Sequence, residues 1–301
     1  MQKIELFKRG RGINMIKKII NILIVMSMLF NCTSFAMAVT EKELEKSQAT
    51  QVLLMLDIIN GYEDNTLKLD KYITRAETAA IIIRIAGLEN AVKWLEKADK
   101  QVRIKSRQRL NKIFNDVSTE HWAIDYIDLA YWEDIVKGVG DKKFKPDDNI
   151  TYEDLVTMIV RTLGYEHNVR KIGDYPEAYL SVAKDIGILE GVNLELGDFV
   201  KRSDASQMIF NCLTIELMAQ VSGLEPKWII DENSNLLVDR LEIDRNYGKI
   251  DNIEEGNVFI NDTVYKKGPT NAEKYRGFEV CFYYVENEKG EKTLLILEKK
   301  T

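Results

Sequence analysis

A chain of 301 residues is too long for one compact core and predicts about two domains. With 45% hydrophobic residues, 30% charged residues and 4 prolines, disorder over most of the length is excluded. A net charge of −6 argues against general nucleic-acid binding.

In chain order, the first element is a targeting segment. Lys17 and Lys18 precede an apolar stretch from Ile19 to Phe30, and Ala36-Met37-Ala38 follows as a small-x-small cleavage site. The pattern reads as a signal peptide over residues 1–38, with Met15 as an alternative start and an uncleaved membrane anchor as the competing reading. The apolar stretch is short for a transmembrane span, and no other stretch in the chain is long enough. Cys32 follows Asn31, where lipidation requires a small residue. Loss of residues 1–38 removes six cations and one acid and moves the net charge from −6 to −11. Two cysteines then remain, Cys212 and Cys281. Their spacing fits no metal motif, which leaves a pairing across domains or two small buried hydrophobes.

Beyond that segment the chain is organised by self-similarity. Residues 57–89 and 134–166 align without a gap: Asp57-Ile58-Ile59 with Asp134-Ile135-Val136, Gly61 with Gly138, Asp64 with Asp141, Ile73-Thr74 with Ile150-Thr151, and Arg84 with Arg161. A third, weaker copy runs from Tyr179 to Leu213, with Ile188 and Gly191 matching Ile135 and Gly138. Each copy reads as helix, glycine turn, extended loop, helix. Thr74 and Glu77 form a capping box for the second helix of the first copy. The second copy keeps Thr151 with Asp154. The third has Lys201 at the cap, so Ser203 or Asp204 must cap that helix or its end frays. One two-helix unit cannot bury its apolar face alone, so the three copies predict one mostly helical domain.

Phe114-Asn115-Asp116-Val117, followed by His121-Trp122-Ala123, resembles the opening of an S-layer homology (SLH) repeat. Gly61-Tyr62-Glu63-Asp64-Asn65-Thr66-Leu67 resembles that family's GYPDGTF turn, and Ile73-Thr74-Arg75-Ala76-Glu77 is similar to its ITRAE motif in every position. The resemblance implies an α + β multidomain chain: a pseudo-threefold α-helical SLH-repeat domain, followed here by a small β-rich domain. It also implies non-covalent attachment at the cell surface to an anionic secondary cell-wall polysaccharide, often pyruvylated, or to another anionic glycan linked to peptidoglycan. The ligand-binding residues it implies are Arg75, Glu77, Thr74, Gly61, Asp64, Trp122 and Arg202, with the arginine of ITRAE on the acidic ketal. A guanidinium at a helix N-terminus suits a carboxylate, because its forked donors and the helix end both favour negative charge. The pattern is broken in two places. The second copy has Tyr152-Glu153-Asp154 in place of Arg-Ala-Glu, and the third keeps Arg202 without the threonine. Trp122 is read either as packing at the start of its helix or as a platform for a sugar ring.

Residues 89–113 read as a helical insert. Lys100, Arg103, Lys105, Arg107, Arg109 and Lys112 occur there with no acid among them, either as a solvated face or as a second contact for anionic polymer. After Pro226 the pattern turns to period two. Trp228-Ile229-Ile230 and Leu236-Leu237-Val238 read as strands flanking a turn at Asp231 to Asn235, and further strands fall near Val258, Val264, Phe278 to Val285 and Lys292 to Leu297. A small barrel or curled sheet is expected. Asp231, Asn233, Asn235, Asp239 and Glu242 have calcium-loop spacing, but Leu236 stands where that loop needs glycine. The resulting division is 1–38 signal peptide, 39–88 first repeat, 89–113 insert, 114–166 second repeat, 167–220 third repeat and 221–301 β-rich domain. No nucleophile, metal or nucleotide fingerprint is present, so neither an enzyme nor a cofactor is expected. The alternative to wall attachment is an assembly protein that keeps the repeat fold and meets other surface proteins through its β tail.

Overall fold

The computed structural model describes residues 47–221 and 227–300. The expected signal peptide lies outside them. Residues 61–67 form a turn with its own bonding. The Tyr62 amide donates to the Thr66 carbonyl at 2.9 Å, and Asp64 Oδ1 accepts from the Thr66 amide and hydroxyl at 3.1 and 2.7 Å. Asn65 sits at φ +60°, a region asparagine tolerates.

The remaining described residues begin with helices α1 (Gln48–Met55) and α2 (Arg75–Ile85). Ser47 caps α1 by accepting from the Thr50 amide at 3.1 Å. At the start of α2 the capping box is complete: Thr74 Oγ1 accepts from the Glu77 amide at 3.1 Å, and Glu77 Oε2 accepts from the Thr74 amide at 2.9 Å. Helices α3 (Glu89–Lys97) and α4 (Lys100–Ile113) form the insert, divided where Asp99 accepts from the Gln101 amide at 2.8 Å. Then come α5 (Ile124–Trp132), α6 (Tyr152–Thr162), α7 (Glu166–Ile172), α8 (Glu177–Asp185) and α9 (Arg202–Cys212).

The extended residues ahead of α2, α6 and α9 bond to one another in a closed cycle. The Ile73 amide donates to the Val200 carbonyl, Val200 to Ile150, and Ile150 back to Ile73, at 3.0, 3.1 and 3.0 Å. All three side chains are buried. The helix starts bond between copies in the opposite sense of rotation. The amides of Arg75, Tyr152 and Arg202 donate to the carbonyls of Asp148, Asp198 and Lys71 at 3.0, 2.9 and 2.9 Å. Amides in a first helical turn have no partner inside their own helix. Here backbone from another copy supplies one. That corrects the expected cap of α9: neither the Ser203 nor the Asp204 side chain caps it, because the Arg202 and Ser203 amides donate to the Lys71 and Leu69 carbonyls instead.

After α9 the chain enters a two-stranded ribbon of β1 (Glu216–Val221) and β2 (Lys227–Asn235), antiparallel, with Ala219 opposite Ile229. This differs from the expected hairpin. Residues 231–235 continue β2, and Leu236–Arg240 form a π-helical turn rather than a strand. Leu236 and Leu237 are fully buried, and Asn235 Oδ1 accepts from the Val238 amide at 3.0 Å, so burial and a local cap override the strand-like composition. The partner strand is β1, which the helical reading of the third copy had absorbed. Along this run Asn235 Nδ2 donates to the Tyr283 hydroxyl at 2.8 Å, and Asp231 Oδ1 accepts from the Asn233 amide.

Strands β3 (Asp244–Glu254), β4 (Asn257–Ile260), β5 (Thr263–Lys266), β6 (Glu279–Glu286) and β7 (Lys292–Lys299) close into a barrel of order β3-β4-β5-β7-β6. Only the β5–β7 pair is parallel. The run β6-β3-β4-β5 has Greek-key order, and β7 fills the remaining gap. Ile250, Val258, Ile260, Val280, Phe282 and Leu294 fill the interior. Tyr283, Leu295 and Ile296 instead join the core of the helical region, with Leu236 and Leu237. The chain is thus α + β, with barrel and helices sharing apolar contacts. Cys212 and Cys281 are both free thiols, the first buried and the second half-buried.

Ribbon β1–β2 is anchored on the C-terminus of α6. The Met218 amide donates to the Leu163 carbonyl at 2.9 Å. Gly164, at φ +85°, lies so close that a Cβ there would stand 2.1 Å from the Met218 carbonyl oxygen. Gly164→Ala should therefore lower unfolding stability in urea by about 2–4 kcal/mol, from backbone strain and the forced shift of β1 together. An unchanged midpoint would show that the ribbon is not held there.

Candidate functional site

Arg75, the first residue of α2, is the centre of the site. Its side chain is 8% exposed. Nε donates to the Phe144 carbonyl at 2.7 Å, and the guanidinium lies 5.1 Å from the centroid of the Phe144 ring. Nη1 forms an ion pair with Asp154, the third residue of α6. The sequence pairs Asp154 with Thr151 as a capping box, yet Thr151 makes no side-chain cap. The carboxylate is turned to Arg75 and to Tyr175, whose hydroxyl donates to Asp154 Oδ1 at 2.9 Å. Burial and the Asp154 charge both push the Tyr175 phenol upward, which keeps it protonated as that donor.

Two cavities open beside this pair. One of about 390 Å³ is lined by Arg75, Lys137, Val139, Asp154, Thr157 and Tyr175, among others. The second, of about 490 Å³, is lined by Arg75, Val139, Lys145, Asp147, Asp154 and Phe199, among others. Both are of ligand-holding size. Arg161 also reaches the first cavity, but its donors are committed to Glu166, to the Tyr179 hydroxyl and to the Ile135 carbonyl. Lys137 has a side chain 53% exposed and stands 3.7 Å from Glu166. The first cavity thus joins a buried guanidinium to a more exposed ammonium, a pairing that suits an anion.

The other expected residues take different places. Glu77 closes the Thr74 cap and stands 3.5 Å from Nη1 of Arg202, whose Nη2 donates to the Asn60 carbonyl at 3.1 Å. Arg202, Glu77 and Thr74 are therefore linked, while Arg75 faces the other way, toward Asp154. Gly61 and Asp64 belong to the turn 61–67. Trp122 is 56% exposed, lies on the His121 ring at 5.9 Å between centroids, and lines neither cavity. His121 Nδ1 accepts from the Ala123 amide, so Nε2 carries the proton toward Asp147 at 3.3 Å. Lys137, Thr157 and Tyr175 were not singled out from the sequence. Tyr175 lies in an irregular segment, and no motif marks it.

The sequence that builds this site is similar to that of known proteins. Residues 51–79 and 113–156 match the S-layer homology domain. This is an SLH-domain surface protein. The SLH matches hold Thr74, Arg75, Glu77 and Asp154, while the third copy falls outside them. The chain is 30% identical over 213 residues to the Middle cell wall protein of Brevibacillus brevis, covering 68% of this chain and 19% of that one. It is 31% identical over 222 residues to a Surface layer protein of Brevibacillus choshinensis, 71% and 18% of the two. It is 26% identical over 285 residues to a Cell surface protein of Thermoanaerobacter kivui, 89% and 34%. The chain spans at most about a third of the length of these relatives. More distant SLH relatives include chains named as enzymes. The SLH match and these surface-layer relatives place the protein at the cell surface or cell wall.

Two of the six cations from Lys100 to Lys112 serve the fold. Arg107 Nη2 contacts Asp125 at 2.8 Å, and that hydrogen bond, the largest influence on it, raises the guanidinium pKa despite partial burial. Arg109 contacts Asp128 at 3.1 Å and lies 4.4 Å over the Trp132 ring. Both acids are almost fully buried on α5. Arg107→Ala strands the Asp125 carboxylate and should lower unfolding stability by about 3 kcal/mol. Replacement of exposed Lys105 by alanine, measured beside it, should change stability by less than about 0.5 kcal/mol.

Proposed function

We propose that this chain attaches non-covalently to the cell wall by binding an acidic, pyruvylated secondary cell-wall polysaccharide at the Arg75 groove, and that it does so without catalysis. One observation carries the reading: a buried guanidinium at a helix start, beside an exposed lysine, on the wall of two ligand-sized cavities. A carboxylate on a sugar ring matches that arrangement in charge and in forked geometry. In this reading the repeats are the copies at 39–88, 114–166 and 167–220. Arg202 serves the first repeat through Glu77, and Trp122 is an exposed platform beside the groove system. The surface-layer and cell-wall names of the relatives accord with attachment.

The ribbon β1–β2 favours a second reading, assembly with other surface proteins. Val221, Trp228, Ile229 and Ile230 are 38–46% exposed, so both faces of the ribbon present apolar surface.

Co-sedimentation with cell walls, native or stripped of secondary polysaccharide, separates the two. Retention should vanish on stripping and fall at least about tenfold in Arg75→Ala, a loss of about 1.4 kcal/mol. Lys137→Glu, which leaves the buried pair intact, should weaken retention in the same direction. Retention indifferent to stripping and to both substitutions would overturn attachment through this groove and leave assembly through the ribbon.

A further inference from the structure

Arg75, Val139 and Asp154 line both cavities, so the ion pair between Arg75 and Asp154 is the partition between them. Its two members are unequal. The Arg75 side chain is 8% exposed and has a second fixed bond to the Phe144 carbonyl, whereas that of Asp154 is 28% exposed. A buried guanidinium cannot be left without a counter-charge, and a second carboxylate cannot be brought against Asp154 without strong repulsion. An anion can therefore reach Arg75 only in exchange for Asp154, and Asp154 is the member with solvent to move into.

We propose that Asp154 is an internal anion holding the ligand's place on Arg75, and that an acidic glycan binds by displacing it and joining the two cavities into one groove. This rests on attachment through the Arg75 groove. Tyr175 is the latch, because its hydroxyl holds the second Asp154 oxygen and its side chain is itself half exposed. The charges set the polarity of the ligand. The acidic group enters the first cavity, where Lys137 stands. There the buried Thr157 hydroxyl has no partner among the described residues, a state that costs about 1–3 kcal/mol until something bonds to it. The second cavity carries Asp147, Asp148 and Asp154 against Arg75 and Lys145, a net negative lining that disfavours an acid. It takes the neutral, hydroxyl-bearing part of the chain, with Phe199, 49% exposed, as its apolar wall. Asp154 thereby discriminates against weakly charged glycans, which cannot replace its carboxylate.

The test is the dissociation constant of the purified chain on native walls, with stripped walls as control. Asp154→Asn should tighten binding at least about fivefold, because the ligand no longer competes with a carboxylate. Tyr175→Phe should tighten it by less, and Arg75→Ala introduced into Asp154→Asn should abolish the gain. Weaker or unchanged binding in Asp154→Asn, while the unaltered chain still binds through Arg75, would mean that Asp154 only orients Arg75. That outcome overturns the proposal and leaves attachment standing. Absence of binding by both the unaltered chain and Asp154→Asn removes attachment and this proposal together. Melting curves check that each variant is folded, and if Asp154→Asn is not, Tyr175→Phe decides by the sign of its effect.

Discussion

Three backbone hydrogen bonds, from Ile73 to Val200, Val200 to Ile150 and Ile150 to Ile73, set the geometry on which the rest of the helical region depends. Each copy lends one extended residue that is donor to one neighbour and acceptor from the other. Buried amides and carbonyls must be paired, and no copy can satisfy this alone. The cycle therefore makes the copies interdependent in a way that apolar packing would not, since packing fixes neither register nor direction. It also orients α2, α6 and α9, whose first amides are taken up by the next copy's loop. These helix starts are consequently not open anion sites. Their first backbone donors are spent on the fold, and only side chains are left to meet a ligand.

The rotation of the helix starts, each toward the next copy, also governs the charges. Arg75 on α2 meets Asp154 on α6, and Arg202 on α9 meets Glu77 on α2. Continued once more, it would pair the first residue of α6 with Asp204 on α9, but that residue is Tyr152, buried and without charge. A missing cation is tolerable there because Asp204 lies at a helix start, where negative charge is favoured. Two of the three junctions are therefore joined by an ion pair and one is not. The three copies share a fold without sharing the same charges at their junctions, and the change from arginine to Tyr152 is enough to separate the second copy from the others.

How much could be read in the sequence depends on how local each interaction is. The capping box of Thr74 and Glu77 spans three residues and stands as expected, and alternating apolar residues such as Val280 and Phe282 announce the barrel. The start of α9 was unreadable, because its partners are the Leu69 and Lys71 carbonyls, more than a hundred residues away. Asp154 was legible as an acid at a helix start. Its turn toward Arg75 was not, since that depends on which copy its helix faces. In the barrel, Asn261 replaces a missing pair of strand bonds, accepting from the Lys249 amide and donating to the Tyr247 carbonyl at 3.2 and 3.1 Å. Gly248 is required there, because a Cβ would stand 2.4 Å from the Asn261 side chain. Neither residue signals this in a one-dimensional pattern, because the register is fixed only when β3 and β4 meet.

The barrel's attachment bears on what the repeats can do. A domain tethered by a flexible linker contributes only its own binding. Here Tyr283, Leu295 and Ile296 on the outside of the barrel lie in one apolar cluster with the helices, and Gln48 at the start of α1 donates to the Leu295 carbonyl at 3.3 Å. Asn235 bonds to the Tyr283 hydroxyl in the same contact. Polar pairing inside an apolar contact fixes orientation as well as adhesion, because any rotation would leave those groups buried and unpaired. The barrel is thus held in a defined direction relative to the Arg75 groove. A chain fixed to a polymer through that groove would present its barrel, and the exposed ribbon beside it, at one angle to the polymer. For a protein of the cell surface, that geometry would turn attachment at one site into orientation of another.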